Sequence, residues 1–172
     1  SAEYGHPIYI IADEPYRELV YGGVKVPFIP CLYKNTIVCY SYSKSLSLPG
    51  ERIGYVYVPG FADDSHAVYA AIAGAARIMG HVCPPTLMQK VIELCAEERP
   101  DLAAYDENRN LLYNSLREMG YECAKPDGAF YLFVKAPNGD ANEFSEKAKL
   151  GHNLLVVPAD GFGCPGYFRL SY

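Results

Sequence analysis

The sequence predicts an α/β fold that runs on into a smaller α+β module. Three observations predict it. Residues 7–12, 36–41 and 53–58 are continuous apolar runs that end in or beside polar side chains. Long helical patterns follow them. Beyond about residue 120, short strand-like runs alternate with a single helix. Unbroken apolar runs suit strands covered on both faces by helices, as in a mostly parallel sheet, better than strands with one wet face.

Each element can be justified in turn. The run 7–12 is rich in Ile and Tyr and is closed by Asp13; the run 36–41 is closed by Ser41-Tyr42-Ser43-Lys44. Polar groups at strand ends are where α/β proteins place ligands. Residues 62–79 predict an Ala-rich helix whose larger apolar residues are Val68, Ile72 and Ile78. Pro84-Pro85-Thr86 opens a second helix, with Leu87, Val91, Leu94 and Cys95 at helical spacing. Pro100-Asp101 opens a third, in which Leu102, Tyr105, Leu112, Leu116 and Met119 recur at mixed three-, four- and seven-residue steps before Gly120. Residues 130–134, 154–158 and 167–172 predict strands, with a helix over 141–150. The implied division is 1–85, holding three strands of a larger sheet, and 86–172, an α+β module joined to it by helix. Three strands are too few to bury runs this apolar. The chain also opens at Ser1 without a Met, so it reads as a segment of a longer protein, incomplete at both ends.

Composition narrows the function. Net charge is −5 and no stretch is dense in Lys or Arg, which argues against a nucleic-acid partner. No apolar run is long enough to cross a bilayer, and no signal peptide is evident, so no membrane partner is expected. The six cysteines form no CxxC pair and no His stands at zinc-ligand spacing beside them. They read as reduced thiols of a cytoplasmic protein, with no metal site.

The segment Ser41-Tyr42-Ser43-Lys44-Ser45-Leu46-Ser47-Leu48-Pro49-Gly50-Glu51-Arg52-Ile53-Gly54 sets one lysine among small hydroxyl residues, with an arginine eight positions on. Hydroxyls with an arginine fork suit a phosphate, and a lysine beside a bound phosphate can attack a carbonyl on the same ligand. Spacing alone equally allows a polar turn with a solvated Lys44. Asp13-Glu14-Pro15-Tyr16 follows the first run, where an Asp also serves as a cap or turn residue. Arg169, inside the apolar strand Tyr167-Phe168-Arg169-Leu170-Ser171-Tyr172, needs an anionic partner, and a structural salt bridge would supply one.

Together these residues resemble the class I and II, fold-type I aminotransferases of the aspartate and aromatic kind. The match to the family's lysine-attachment signature rests on Ser41, Tyr42, Ser43, Lys44, Ser47, Leu48, Gly50, Arg52, Ile53 and Gly54. Pro126-Asp127-Gly128-Ala129-Phe130-Tyr131, Val156-Val157-Pro158 and Gly161-Phe162-Gly163 are similar to later family segments. Tyr105 and Arg109 fit its Tyr-x-x-Arg-Arg helix, with Asn108 in place of the first Arg. Glu51 stands where many members have Trp.

The resemblance implies pyridoxal 5'-phosphate as cofactor, held as a Schiff base on the catalytic Lys44. It implies that Asp13 meets the pyridinium nitrogen, Tyr16 the ring's 3-oxygen, and Ser41, Ser43 and Arg52 the phosphate. Arg169 would grip the substrate α-carboxylate. The implied reaction moves an amino group between an amino acid and a 2-oxo acid, in a cytoplasmic homodimer. On this reading, 1–85 is the later part of the cofactor-binding large domain and 86–172 the small domain without its terminal helix. The glycine-rich phosphate amides, the ring-stacking aromatic residue and the Asn beside the 3-oxygen belong to the family's first half and have no counterpart here. Carbon–sulfur β-lyases and aminocyclopropane-carboxylate synthases share these motifs, and an aminotransferase-like sensor domain is a third alternative.

Overall fold

The computed structural model describes residues 1–172. The chain divides into two compact units, Ser1–Glu18 with Lys25–Pro100, and Leu19–Val24 with Asp101–Tyr172. The pattern of the sequence alone puts the change at 85/86.

The first unit is built on a three-stranded sheet of β1 (Ile10–Asp13), β2 (Thr36–Ser41) and β3 (Gly54–Tyr57), in that order. β1 runs parallel to β2 and β3 antiparallel to it, so the sheet is mixed. Asp13 lies opposite Cys39, and Ser41 opposite Gly54. The ends of β1 and β2 and the start of β3 therefore gather at one end of the sheet. A Cβ on Gly54 would lie 2.2 Å from the Tyr40 carbonyl oxygen, so a bare backbone is what lets β3 close onto β2 there.

Two expectations are corrected here. β1 begins at Ile10 rather than at residue 7, because the Tyr33 hydroxyl donates to the Ile8 carbonyl (2.7 Å) and Pro7 has no N–H to give. The runs are also not buried on both faces: Ile11 is 69% exposed and β3 is exposed along its length. β1 and β3 are the two edges of this sheet, and neither α2 (Ser65–Ile78) nor α3 (Thr86–Cys95) carries a buried residue, so in this chain the strands are only partly covered.

The second unit packs α4 (Leu102–Glu118) and α5 (Ala141–His152) with an antiparallel sheet of order β4 (Tyr131–Lys135), β6 (Tyr167–Ser171), β5 (Val157–Pro158). Asp101 caps α4 by accepting from the Ala104 N–H at 3.0 Å. Leu132, Val134, Ala141, Val156 and Phe168 form the core, and the Phe144 ring stacks on Phe168 at 4.5 Å. The segment Leu19–Val24 belongs here because the Tyr21 N–H donates to the Asp127 carbonyl (3.0 Å) and the Ala129 N–H to the Leu19 carbonyl (2.8 Å). β5 is shorter than the run 154–158 predicts. Asn153 turns left-handed to end α5, and the Leu154 N–H returns to the Ala148 carbonyl (3.1 Å), so these residues close the helix instead of pairing.

Candidate active site

The lysine sits on α1 (Tyr42–Ser45), a single helical turn between β2 and β3. Ser41 caps it: its Oγ accepts from the Ser43 N–H (3.2 Å) and donates to the Ser43 hydroxyl (2.7 Å). The Tyr42 N–H donates to the Ile53 carbonyl (3.2 Å), tying the turn to the segment that enters β3. The Lys44 ammonium lies 5.8 Å from the centre of the Tyr16 ring, over its face. Two of the expected site residues are thus in contact.

Arg52 takes a left-handed backbone conformation (φ 53°) just before β3. One guanidinium nitrogen donates to the Pro49 carbonyl at 2.9 Å, and the group has no carboxylate partner in the chain. Ser41, Ser43 and Arg52, with Ile53 and Gly54, line one cavity of about 160 Å³. Its polar side chains are two hydroxyls and a guanidinium, with no acid among them. That donor set matches a bound phosphate in charge and in hydrogen-bonding sense.

Asp13 ends β1 on the neighbouring strand and is exposed. Asp13 lies opposite Cys39 in the strand register, and burial first, then that carboxylate, push the Cys39 thiol above its ordinary value. Glu14 turns away into an ion pair with Arg17. A second cavity of about 610 Å³ shares Arg52 and Gly54 with the first and passes Cys39 and Val56 to residues 80–85. Asp13, Tyr16, Ser41, Ser43, Lys44 and Arg52 therefore collect at one end of the first unit's sheet.

Arg169 belongs to the second unit. It stands on β6 with its guanidinium 4.3 Å from the Tyr131 ring centre and 4.2 Å from that of Phe162. It makes no ion pair within the chain. The structural ion pair falls instead on Arg109, which is 6% exposed, bonds Asp106 and the Pro126 carbonyl (2.6 Å), and lies over the Tyr21 ring. Two aromatic rings therefore lie against the Arg169 guanidinium.

The model of the family "Aminotransferase class I and II" matches residues 3–172. The chain belongs to this family. An amino transferase of Eubacterium rectale, known as a crystal structure, is 61% identical with a TM-score of 0.92, covering 100% of this chain and 43% of its own. The aspartate aminotransferase structure of Thermotoga maritima is 30% identical with a TM-score of 0.79, covering 95% of this chain and 43% of its own. The aspartate aminotransferase of Geobacillus stearothermophilus is 33% identical over 97% of this chain and 45% of its own length. The chain thus spans less than half the length of these aminotransferases. The family works with pyridoxal phosphate, and the hydroxyl-and-arginine cavity beside Lys44 fits that cofactor's phosphate.

One contact beside the lysine turn escaped sequence reading. The Tyr40 hydroxyl donates to the Ser45 hydroxyl (2.8 Å) behind the lysine turn. In the sequence Tyr40 is one more aromatic in an apolar strand, and nothing in a period-two pattern joins it to a residue beyond the strand's end. No group of three or more His, Cys, Asp or Glu could hold a metal ion, all six cysteines are free, and no helix is long and apolar enough to cross a membrane.

Proposed function

We propose that this chain is the later part of a pyridoxal-phosphate-dependent aminotransferase that exchanges an amino group between an amino acid and a 2-oxo acid. The observation that carries the reading is the shared cavity of Ser41, Ser43 and Arg52 beside Lys44, with Asp13 ending the adjacent strand. The two hydroxyls and the guanidinium hold the cofactor's phosphate. Asp13 keeps a negative charge toward the ring nitrogen, and Tyr16 donates its phenol to the ring oxygen. When bound, the cofactor supplies an electron sink for the substrate's α-carbon. Lys44 would be the residue that holds the cofactor, and its amine, when free, would serve as the base that moves the substrate's α-proton. Arg169 orients the α-carboxylate as a two-pronged donor. The segment 1–85 serves the cofactor-binding domain and 86–172 the small domain of a cytoplasmic homodimer. Borohydride reduction of the full-length protein loaded with pyridoxal phosphate, followed by peptide mapping, should place the label on Lys44. A label on another lysine, or none, would overturn the assignment.

A further inference from the structure

We propose that Tyr40 and Ser45 are a positioning pair for Lys44, clamping the rear of the lysine turn so that its amine stays presented to the cofactor. The inference rests on the cofactor reading above. Ser45 directly follows Lys44, ends α1, and is 6% exposed. Its hydroxyl accepts from Tyr40 at 2.8 Å. Tyr40 is itself fixed, since its ring stacks on Tyr55 of β3 at 5.1 Å and meets Tyr42 edge-on at 5.2 Å.

A clamp is needed because α1 cannot hold itself. One turn of helix is not stable alone. The backbone bonds that would close it, Leu46 N–H to Tyr42 and Ser47 N–H to Lys44, are long at 3.3 and 3.4 Å. Side chains must secure the turn instead. Ser41 and Ser43 secure the front, and the Tyr40–Ser45 bond secures the back. Behind that bond is a cavity of about 150 Å³ lined by Glu18, Tyr42, Leu46, Tyr55 and Arg99, into which a released turn could sag. The Glu18 Oε2 atom is buried there without a hydrogen-bond partner. Burial above all, with a contribution from Glu18, pushes the Tyr40 phenol up to about 12, against the lowering effect of the Ser45 bond. Tyr40 therefore remains a protonated donor throughout the neutral range. Neither residue is assigned any contact with cofactor or substrate; they act through the position of Lys44.

The test uses the full-length protein with pyridoxal phosphate and the variants Tyr40→Phe, Ser45→Ala, Ser45→Thr and the double Tyr40→Phe/Ser45→Ala. Two quantities are read: the pH at which the visible absorption of the lysine-bound cofactor changes, and kcat and KM for the amino acid. Tyr40→Phe and Ser45→Ala should each move the absorption midpoint and lower kcat about ten- to a hundredfold, the scale of an ångström's misplacement. KM should stay nearly constant. The double variant should be no worse than the worse single, because both changes break one bond. Ser45→Thr, which keeps the hydroxyl, should behave as the parent. If the single losses multiply in the double, if Ser45→Thr matches Ser45→Ala, or if only the melting temperature falls, the pairing is overturned. Should Tyr40→Phe fail to fold, the contrast of Ser45→Ala with Ser45→Thr decides alone. A parent protein that takes up no cofactor at Lys44 defeats the proposed function, and this inference with it.

Discussion

Asp13 and Arg52 stand at the same end of one sheet, yet their loss should be felt differently. Asp13→Ala removes a charge that matters most when electrons move onto the ring, so kcat should drop on the order of 100-fold or more, as for other preorganised electrostatic groups. Arg52→Ala weakens phosphate anchoring, which excess pyridoxal phosphate should largely restore. Steady-state kinetics of the full-length variants at saturating cofactor check the contrast, and a worse Arg52→Ala would reverse the two roles. Arg169→Lys should keep the bound cofactor but lose about 1.5–3 kcal/mol of substrate affinity, because Lys cannot reproduce the planar fork held between Tyr131 and Phe162. Titration with an amino acid would measure the loss, and unchanged affinity would remove Arg169 from the site. At this scale a lysine among small hydroxyls with Arg52 eight positions on was legible as a motif, and the roles of its residues came with the family resemblance rather than from spacing. The Tyr40–Ser45 bond was not, because it depends on how α1 folds back beneath β2.

At the scale of elements, Gly54 lets β3 leave the cavity of Ser41, Ser43 and Arg52 close against β2. In Gly54→Ala the new methyl would meet the Tyr40 carbonyl oxygen at 2.2 Å, so the strands must part. The expected cost is about 1–3 kcal/mol in urea unfolding, together with weaker cofactor uptake. A second element-scale expectation concerns acid. Asp63, ahead of α2, accepts from Lys34 and from the buried Asn35 side chain, and those bonds hold its carboxyl below the usual range. A depressed folded value means the contribution is complete above the unfolded value, near pH 4, and is lost as pH falls through the folded one. Stability measured from pH 6 down to pH 2 should therefore decline less in Asp63→Asn than in the parent. Eight elements showed well in the sequence: β2 has the expected bounds, and β3, β4, β6, α2, α3, α4 and α5 lie within a few residues of them. The first run and the stretch 154–158 misled, because donation by the Tyr33 hydroxyl to the Ile8 carbonyl and closure of α5 compete locally with strand pairing.

For the molecule as a whole, the exposed apolar residues of the first unit are the consequential feature: Ile78 is 89% and Leu94 84% exposed. Surfaces of this kind drive association. The isolated 172-residue chain should self-associate in sedimentation experiments, bind pyridoxal phosphate weakly and transfer no amino groups; monodisperse, active material would contradict this. A change in pattern along the chain was legible in the sequence. The place of Leu19–Val24 was not, since its partners lie far along the sequence and no local period encodes them. That placement also orders events during synthesis. The Tyr21 hydroxyl meets the carbonyl of Ala129, 108 residues later, at 2.6 Å. A ribosome releases residues 19–24 long before that partner exists, so they must wait, unpaired, while most of the first unit emerges. The second unit can close only once residue 129 has left the exit tunnel. By the same logic, a gene trimmed to begin at Asp101 would yield a unit lacking one of its own edges, and a protease nick between residues 24 and 100 would leave two pieces still laced together.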